Sequence, residues 1–332
     1  MSGTGGSTIA VLGGGAWGTA LAGHAVRAGH EVRQWVRDPA RARAIEASRA
    51  NEARLPGVRI PDGLRVVSEP AAALAGAGIA LVAIPSASFR AVCREARRVW
   101  PAGTVAVSAT KGIEIDSRRR MTEVAGEELP GVPLAVLSGP SFAIEVAREL
   151  PTAVVVASSV ADVAEALQRA LSTRAFRVYS SDDVVGVELG GALKNVIAIA
   201  AGIVDGLGYG SNTVAALVTR GLAEITRLAV ALGGRSETLA GLAGLGDLVL
   251  TCTGSLSRNR RVGQALGAGR TLVDATSGLV AEGVGTTRAA CALAEAAGIE
   301  MPIARQMRAV LYEGKPPREA VDQLMLRSLK RE

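Results

Sequence analysis

One lysine stands on a helical face that suits proton transfer. At the spacing of an α-helix, Lys194 has Gly190, Gly191 and Ala198 as its near neighbours, with Val187 two turns back. A lysine on such a small, apolar face either extends its amine to water or is partly desolvated, and desolvation lowers an amine pKa toward the range useful for acid–base catalysis. We therefore predict a functional amine at Lys194.

Three further polar side chains are candidates for the same chemistry. Lys111 follows a predicted strand at the carboxyl edge where doubly wound folds bind ligands, although a loop lysine in water explains its position equally. Asp247 follows Gly246 ahead of an apolar run, where it would either pair with a buried lysine or cap a helix. Asn195, beside Lys194, is a candidate for orienting a hydroxyl group.

Histidine and cysteine offer little for catalysis or metal binding. The two histidines, His24 and His30, flank the first predicted helix, so we expect lysine or a carboxylate to move the proton. The three cysteines, Cys93, Cys252 and Cys291, lack metal-type spacing. We expect buried reduced thiols, with neither a disulfide nor a structural metal.

The start of the chain predicts a dinucleotide site. A β-like run over residues 7–12 leads directly into a G-x-G-x-x-G motif at residues 13–18, and a helical pattern follows. In this setting Gly13 permits the tight turn, Gly15 lets the backbone approach a pyrophosphate, and Gly18 lets the helix pack on the strand. The motif therefore indicates a Rossmann-type site whose phosphates lie on helix N–H groups.

The end of the second predicted strand bears on which nicotinamide cofactor binds. NAD-binding proteins usually place a carboxylate there, and this chain places Arg37. A guanidinium suits a 2′-phosphate, which favours NADPH over NADH. Asp38 competes as a ribose contact, but capping the helix that Pro39 begins is the preferred explanation for it.

Two later segments have the features of anion sites. The stretch at residues 138–143 follows a strand and opens a helical run, so Gly139, Ser141 and the free N–H groups there would face an anion; a simple helix cap is the alternative. Ser257 is placed to cap a helix whose first residues are Arg258 and Asn259. Cations in a first helical turn are unfavourable unless an anion lies there, although a solvated basic turn remains the alternative.

Composition limits the class of protein. With 332 residues and 48% apolar content, the chain is long enough for two domains with sizeable cores. The net charge of +6 is spread along the chain and aromatic residues make up 3%, which argues against a nucleic-acid binder. Residues 1–6 lack the features of a signal peptide and no uninterrupted apolar run approaches a bilayer span, so we expect a cytoplasmic protein.

The chain divides into two parts by pattern. Up to about residue 185, short β-branched runs alternate with alanine-rich helical segments, which predicts a doubly wound sheet; the runs lie at residues 7–12, 32–36, 79–84, 104–107, 134–137 and 152–156. From Val187 onward, long helical segments are separated by glycine clusters. We therefore predict an α/β chain with a Rossmann-type dinucleotide-binding domain over residues 1–186 and an all-helical substrate and catalytic domain over residues 187–332.

Taken in order, these motifs resemble bacterial NAD(P)-dependent glycerol-3-phosphate dehydrogenase along nearly the whole chain. The matching segments lie at residues 13–20, 111–112, 138–143, 193–196, 246–248 with 251–252, 257–259 and 281–283. The resemblance implies a reversible, NAD(P)-dependent reduction of dihydroxyacetone phosphate to sn-glycerol 3-phosphate, feeding phospholipid synthesis, by a homodimer. It leaves the preference for NADPH over NADH, which Arg37 favours, open.

The resemblance also implies residue roles. Lys194 would be the catalytic proton donor, with Lys111 and Asp247 setting the local field. The cofactor contacts would be Gly13, Gly15, Ala16, Trp17, Gly18, Arg37, Lys111, Ala143, Arg258, Val280 and Glu282. The substrate contacts would be Lys111, Gly139, Ser141, Lys194, Asn195, Asp247, Ser257, Arg258 and Asn259.

Two other functions remain open from the residues themselves. A two-domain NADP dehydrogenase for a β-hydroxyacid or sugar acid would share the glycine motif and a helical lysine, but it would not require the basic segment at residues 257–259. A protein that binds NADP without catalysis, or a basic nucleic-acid binder, would not require Lys111, Lys194 and Asp247 together.

Overall fold

The computed structural model describes residues 7–326. The expectation about a signal peptide rests on residues 1–6, which lie outside this range, as do residues 327–332. The described chain forms two compact units. The first comprises residues 7–110 and Met121–Val184, and the second comprises Lys111–Arg120 and residues 185–326.

The first unit is built on an eight-stranded sheet. Its strands are β1 (Thr8–Leu12), β2 (Glu31–Trp35), β3 (Leu64–Val67), β4 (Ile79–Val82), β5 (Val105–Ser108), β6 (Leu134–Ser138), β7 (Thr152–Ala157) and β8 (Phe176–Ser181). Their spatial order is β3-β2-β1-β4-β5-β6-β7-β8, and β1 to β6 are mutually parallel. The order of the first six strands is that of a Rossmann fold, as predicted.

Helices cover both faces of this sheet. They are α1 (Ala16–Arg27), α2 (Pro39–Ser48), α3 (Pro70–Leu74), α4 (Ser86–Ala96), α5 (Met121–Glu128), α6 (Ala143–Ala147) and α7 (Ala161–Leu171). Alternate residues of β1 enter two separate buried clusters: Ile9 and Val11 join one, and Ala10 and Leu12 join the other. A strand buried on both faces explains why these segments are apolar without a polar alternation.

The structure differs from the predicted sheet at its far edge. β7 runs antiparallel to β6, and β8 pairs with β7 in parallel. The connection from β6 to β7 contains a helix of only five residues, α6, which spans about 8 Å and cannot carry the chain back along a strand of about 20 Å. β3 and β8 were not predicted at all.

The second unit is helical, as predicted for the chain after residue 187. Its helices are α8 (Val184–Gly206), α9 (Ser211–Ala231), α10 (Ser236–Ala240), α11 (Asp247–Thr253), α12 (Arg258–Gly267), α13 (Leu272–Thr276), α14 (Glu282–Ala297), α15 (Pro302–Tyr312) and α16 (Pro317–Met325), with a π-helical turn at Leu242–Gly246. The glycine clusters mark ends as expected, since α8 ends at Gly206 and α12 ends at Gly267. Cys252 and Cys291 are buried here and Cys93 is buried in the first unit, all as free thiols.

α8 is the central helix of the second unit. By length and composition it is apolar enough to cross a bilayer, yet its most apolar stretch is wholly buried within the folded chain. The sequence showed no uninterrupted apolar run of this length, because Glu188 and Lys194 interrupt it. Burial on all sides is the property of a core helix.

α8 and α12 pack backbone to backbone. A Cβ atom added at Gly202 would overlap the carbonyl oxygen of Arg260, and one added at Gly263 would overlap that of Ile199. One turn further along both helices, a Cβ atom at Gly206 would overlap the carbonyl oxygen of Gln264 and one at Gly267 that of Ile203, so the two helices run parallel. Glycine is required at these positions because of the close approach.

The segment at residues 111–120 belongs to the second unit, although division of the sequence at 186/187 leaves it in the first. Ile113 is 1% exposed and packs among the residues of the helical core. Through Ile113, a loop from the first half of the sequence therefore packs in the core of the second unit. Patterns along the chain do not show this arrangement.

Candidate active site

Lys194 and Lys111 bind the same carboxylate. The Nζ atom of Lys194 donates to Oδ1 of Asp247 and, at 2.8 Å, to the hydroxyl of Thr251. The Nζ atom of Lys111 donates to Oδ2 of Asp247 at 2.7 Å. Asp247 is 1% exposed and Lys194 is 6% exposed. The second unit thus contains a buried cluster of two ammonium groups around one carboxylate.

Three elements bring this cluster together. Lys194 lies on α8, Asp247 and Thr251 lie one turn apart on α11, and Lys111 begins the segment 111–120. The small residues beside Lys194 serve close packing, because a Cβ atom at Gly190 would lie 2.6 Å from the carbonyl oxygen of Ala243 in the π-helical turn. That turn leads directly into Asp247, which explains how α8 and α11 approach closely enough for the ion pair.

Burial sets the protonation of Lys194. Removal from water lowers the pKa of Lys194 from its ordinary value near 10.5 to about 8; the charge of Asp247 opposes this shift, and the charge of Lys111 adds to it. The Lys194 side chain is 8% exposed, Lys111 pairs with a carboxylate, and Asp247 binds both lysines; their catalytic roles stay predictions. An amine with a pKa near neutrality can both donate and accept a proton.

A chain of amides lies beside the cluster. The Asn259 side chain donates to Oδ1 of Asn195 at 2.8 Å, and its own Oδ1 accepts from the backbone N–H of Gly283 at 3.0 Å. Asn195 also approaches the carbonyl of Lys111 at 3.5 Å. These bonds link α8, α12, α14 and the segment 111–120. They also determine which hydrogen-bonding atoms of the two amides are left for a ligand. One N–H of Asn259 is not used by these contacts.

The start of α12 takes the predicted form. Ser257 caps the helix, and its hydroxyl accepts from the N–H of Arg260 at 3.2 Å. Arg258, the first helical residue, is exposed, whereas Asn259 is buried. Val280 is 44% exposed just ahead of α14, and Glu282 is the first residue of that helix.

The glycine turn of the first unit has the shape that a pyrophosphate requires. Gly13 has φ of +137°, and a Cβ atom there would overlap the carbonyl oxygen of Ala83. A Cβ atom at Gly18 would overlap the carbonyl of Gly13, whereas one at Gly15 would meet no atom within 4 Å. No side chain caps the N-terminus of α1. Gly13 and Gly18 are therefore required by the fold, and the open face at Gly15 fits a phosphate group.

Three polar side chains hold this turn, and the sequence analysis missed all of them. Gln34, on β2, donates to the carbonyl of Gly13 at 2.8 Å and to Thr19 at 3.1 Å. Asn51 donates to Thr19 at 2.8 Å, and both Asn51 and Arg41 donate to the carbonyl of Gly14. The signal available in the sequence was a polar residue, Gln34, within an otherwise buried strand.

The other candidates in the first unit differ in what they bind. Asp38 caps α2 through the N–H groups of Ala40 and Arg41, as preferred, and exposed Arg37 lies over the Trp35 ring at 5.7 Å. Ser141 does not cap α6; its hydroxyl donates to the carbonyl of Gly139 at 2.9 Å, so the capping alternative is wrong.

Two further candidates are the first residues of their helices. Ala143 is the first residue of α6, and Ala16 is the first of α1. The indole N–H of Trp17 is buried without a hydrogen-bond partner.

The predicted residues divide between the units. The first unit holds Gly13, Gly15, Ala16, Trp17, Gly18, Arg37, Gly139, Ser141 and Ala143, and the second holds Lys111, Lys194, Asn195, Asp247, Ser257, Arg258, Asn259, Val280 and Glu282. A cavity of about 530 Å³ in the first unit is lined by His24, Arg27, Glu149, Phe176 and their neighbours, and it contains none of these residues.

Comparison with known proteins gives the family. The family descriptions "NAD-dependent glycerol-3-phosphate dehydrogenase N-terminus" and "C-terminus" match residues 8–164 and 183–322. A protein of a Geobacter species named glycerol-3-phosphate dehydrogenase (NAD(P)+) is 53% identical over 329 residues, covering 98% of each chain. One of the same name from Rhodospirillum rubrum is 54% identical over 325 residues, covering 97% of this chain and 93% of the relative.

A solved structure agrees over both units. The crystal structure of glycerol-3-phosphate dehydrogenase from Coxiella burnetii matches with a TM-score of 0.94 at 44% identity, covering 97% of this chain and 99% of the other. The order of strands, the helical second unit and the motifs quoted above are thus those of one family. The chain belongs to the NAD-dependent glycerol-3-phosphate dehydrogenase family.

Proposed function

We propose that this chain catalyses the reversible, NAD(P)-dependent reduction of dihydroxyacetone phosphate to sn-glycerol 3-phosphate. The observation that carries the proposal is the buried amine of Lys194, held by Asp247 and Thr251 and depressed in pKa to about 8. Membership of the family supports the same activity.

Lys194 is the proton donor in this proposal. A reduced nicotinamide, when bound, supplies the hydride that the substrate carbonyl carbon accepts. Lys194 donates its proton to the oxygen at C2 as negative charge develops there, and in the oxidation of glycerol 3-phosphate the neutral amine accepts the hydroxyl proton. Thr251 accepts a hydrogen bond from the same amine, so the amine's direction is fixed on two sides.

Lys111 and Asp247 set the field in which this transfer occurs. Two ammonium groups around one carboxylate leave a net positive charge in a buried place, which stabilises a developing alkoxide more than it stabilises a neutral ketone. Because Asp247 accepts from both lysines at once, it also holds them at a fixed separation.

The substrate phosphate would be held by the start of α12. Arg258 supplies a permanent charge, Asn259 has an N–H that the amide chain does not use, and Ser257 fixes the helix end. Gly139 and Ser141 are proposed as further substrate contacts in the first unit. Anchoring a remote phosphate orients the carbonyl and lowers the barrier through binding energy.

The cofactor would be held by the glycine turn, with Arg37 on the 2′-phosphate of NADPH. Ala16, Trp17 and Ala143 are the proposed contacts from the first unit, and Lys111, Arg258, Val280 and Glu282 are those from the second. We also propose a homodimer in the cytoplasm that supplies glycerol 3-phosphate for phospholipid synthesis; light scattering of the purified protein tests the oligomeric state.

The activity is tested with the purified protein, dihydroxyacetone phosphate and either NADPH or NADH, by following the absorbance of the reduced nicotinamide. We expect oxidation of the nicotinamide with the phosphorylated triose, and faster turnover at low NADPH than at the same NADH concentration. The controls are unphosphorylated dihydroxyacetone with the same reduced cofactors, and a β-hydroxyacid with NADP+ or NAD+, whose reduction is followed at the same wavelength. Activity on the hydroxyacid without activity on dihydroxyacetone phosphate would replace this proposal with the rival dehydrogenase.

A further inference from the structure

The segment that carries Lys111 is a short hairpin. The backbone N–H of Glu114 donates to the carbonyl of Arg119 at 2.9 Å, and Ile113 and Arg120 face each other as an antiparallel bridge. Arg118, at the turn, has a left-handed φ of 59°. We call residues 111–120 the lysine hairpin. Its closed ladder means that a restraint on Arg120 acts directly on Ile113, two residues from Lys111.

The lysine hairpin is tied to α8 by a buried ion pair. A guanidinium nitrogen of Arg120 donates to a carboxylate oxygen of Glu188 at 2.6 Å, and the side chains of these residues are 18% and 4% exposed. Ile113 packs in the apolar core of the same unit. A carboxylate so far from water is stable only while its cation stays in place, so this contact is a strong restraint on the hairpin.

Lys111 benefits from such a restraint because Lys194 repels it, although Asp247 attracts it. Its ammonium group shares the carboxylate of Asp247 with the ammonium group of Lys194, and like charges at that separation oppose each other. Charged or titratable groups that face Lys194 are Asp247 and the Cys252 thiol on α11 and Lys111 on the hairpin. Asp247 and Cys252 lie on a helix, whereas the position of Lys111 depends on the hairpin.

We propose that Arg120 and Glu188 are positioning residues: their ion pair holds the lysine hairpin on α8, and so keeps Lys111 on Asp247 beside Lys194. α8 then carries both the reacting amine and, six positions earlier, the anchor for the neighbouring amine. This inference rests on the proposed function for its kinetic consequences, but the restraint on the hairpin is a property of the fold.

The test compares Glu188→Gln with a matched control, Glu128→Gln. Glu128 is likewise buried and paired with arginines, Arg90 and Arg94, but it belongs to the first unit, at the end of α5, and these arginines are not hairpin residues. Both variants lose a buried carboxylate. We expect Glu188→Gln alone to lower kcat for dihydroxyacetone phosphate about tenfold through misplacement of Lys111, and to move the alkaline limb of the pH profile to higher pH.

The direction of that movement follows from charge. Lys111 lowers the pKa of Lys194, so a hairpin that releases Lys111 lets the pKa of Lys194 rise. A general loss of folded protein would reduce kcat without moving the limb. In a Lys111→Met background, Glu188→Gln should add no further shift of the limb, because the ion pair would have no Lys111 left to position.

A second measurement does not depend on activity. Backbone hydrogen exchange of residues 111–120 should become faster in Glu188→Gln and stay unchanged in Glu128→Gln. Unchanged exchange in both variants, or shifts of the pH limb that add in the Lys111→Met background, would overturn the proposal. If the wild-type protein shows no turnover while the exchange result holds, the proposed function fails and the restraint on the hairpin stands.

Discussion

The glycine turn of the first unit and the lysine cluster of the second unit are built from different chemical groups. The turn offers backbone N–H groups and an open space at Gly15, and neutral side chains such as Gln34 hold it in shape. The cluster consists of charged side chains removed from water, and Asp247 holds it together. A ligand can bind to backbone N–H groups without any change of protonation state. A buried amine that transfers a proton must change its own protonation state.

This contrast separates binding from chemistry. Residues that shape the turn should control affinity for the cofactor, and residues of the cluster should control turnover. The predictions below test that separation, beginning with the largest expected effect.

Replacing Lys194 with methionine keeps the length of the side chain and removes the proton donor. We expect kcat to fall about 10³-fold or more, in the upper part of the range for a general acid, with the dissociation constant for NADPH near that of the wild type. Fluorescence titration with NADPH and steady-state kinetics measure the two quantities. If the variant lost NADPH affinity but the fraction with bound NADPH still turned over normally, Lys194 would act in cofactor binding and not in proton transfer.

Arg258→Ala tests whether the charge at the start of α12 acts on substrate affinity. Losing one charge-assisted hydrogen bond of about 1.5–3 kcal/mol should raise KM for dihydroxyacetone phosphate about 10- to 100-fold. Arg261→Ala, further along the same helix, is the control for lost charge alone. An unchanged KM in Arg258→Ala would dismiss the phosphate contact.

The turn is tested with three alanines that add the same Cβ atom. At Gly15 the Cβ meets open space, so Gly15→Ala should weaken NADPH binding at least about tenfold with little change in melting temperature. At Gly18 the Cβ overlaps the carbonyl of Gly13, so Gly18→Ala should also destabilise the unit by about 1–3 kcal/mol.

Gly78→Ala is the matched control for that pair, because its Cβ would also meet open space but lies outside the motif. It should change neither the affinity for NADPH nor the melting temperature. Full NADPH affinity in Gly15→Ala would show that the open face at Gly15 is not where the phosphates lie.

The pH dependence tests the cluster with no substitution. Reduction needs Lys194 protonated, and its pKa is lowered to about 8, so reduction should decline about tenfold per pH unit above that value. Oxidation needs the neutral amine and should rise through the same pH and then level off. Initial rates in both directions between pH about 6 and about 10 measure this. Parallel profiles in the two directions would show that another group moves the proton.

The same contrast explains how far the sequence could be interpreted. The glycine turn was predicted in detail because strand, turn and helix are neighbours in sequence and each glycine has a local reason. The desolvated state of Lys194 was predicted because its small neighbours lie within one turn of α8. Ser257 and Asp38 were correctly predicted as caps for the same reason, since a cap depends on the next three residues.

Features that depend on distant partners could not be predicted. Asp247 is separated from Lys111 by 136 positions, so the sequence offered pairing and capping as equal explanations. β8 alternates apolar and polar residues in the order Phe176, Arg177, Val178 and Tyr179, unlike the continuous apolar runs used to find the other strands. The lysine hairpin groups with the second unit through contacts with distant residues, namely the packing of Ile113 and the ion pair of Arg120 with Glu188, which local patterns do not reveal.

The wholly buried surroundings of α8 have a consequence for heat inactivation. We expect amide hydrogens in the buried stretch of this helix to exchange slowly, through openings of the surrounding unit. Lys194, the proposed proton donor, should therefore lie on one of the slowest-opening segments of its unit. On warming, the pair of Lys194 and Asp247 should be lost only when the helical unit melts cooperatively, so any earlier inactivation would come from the lysine hairpin or from the first unit.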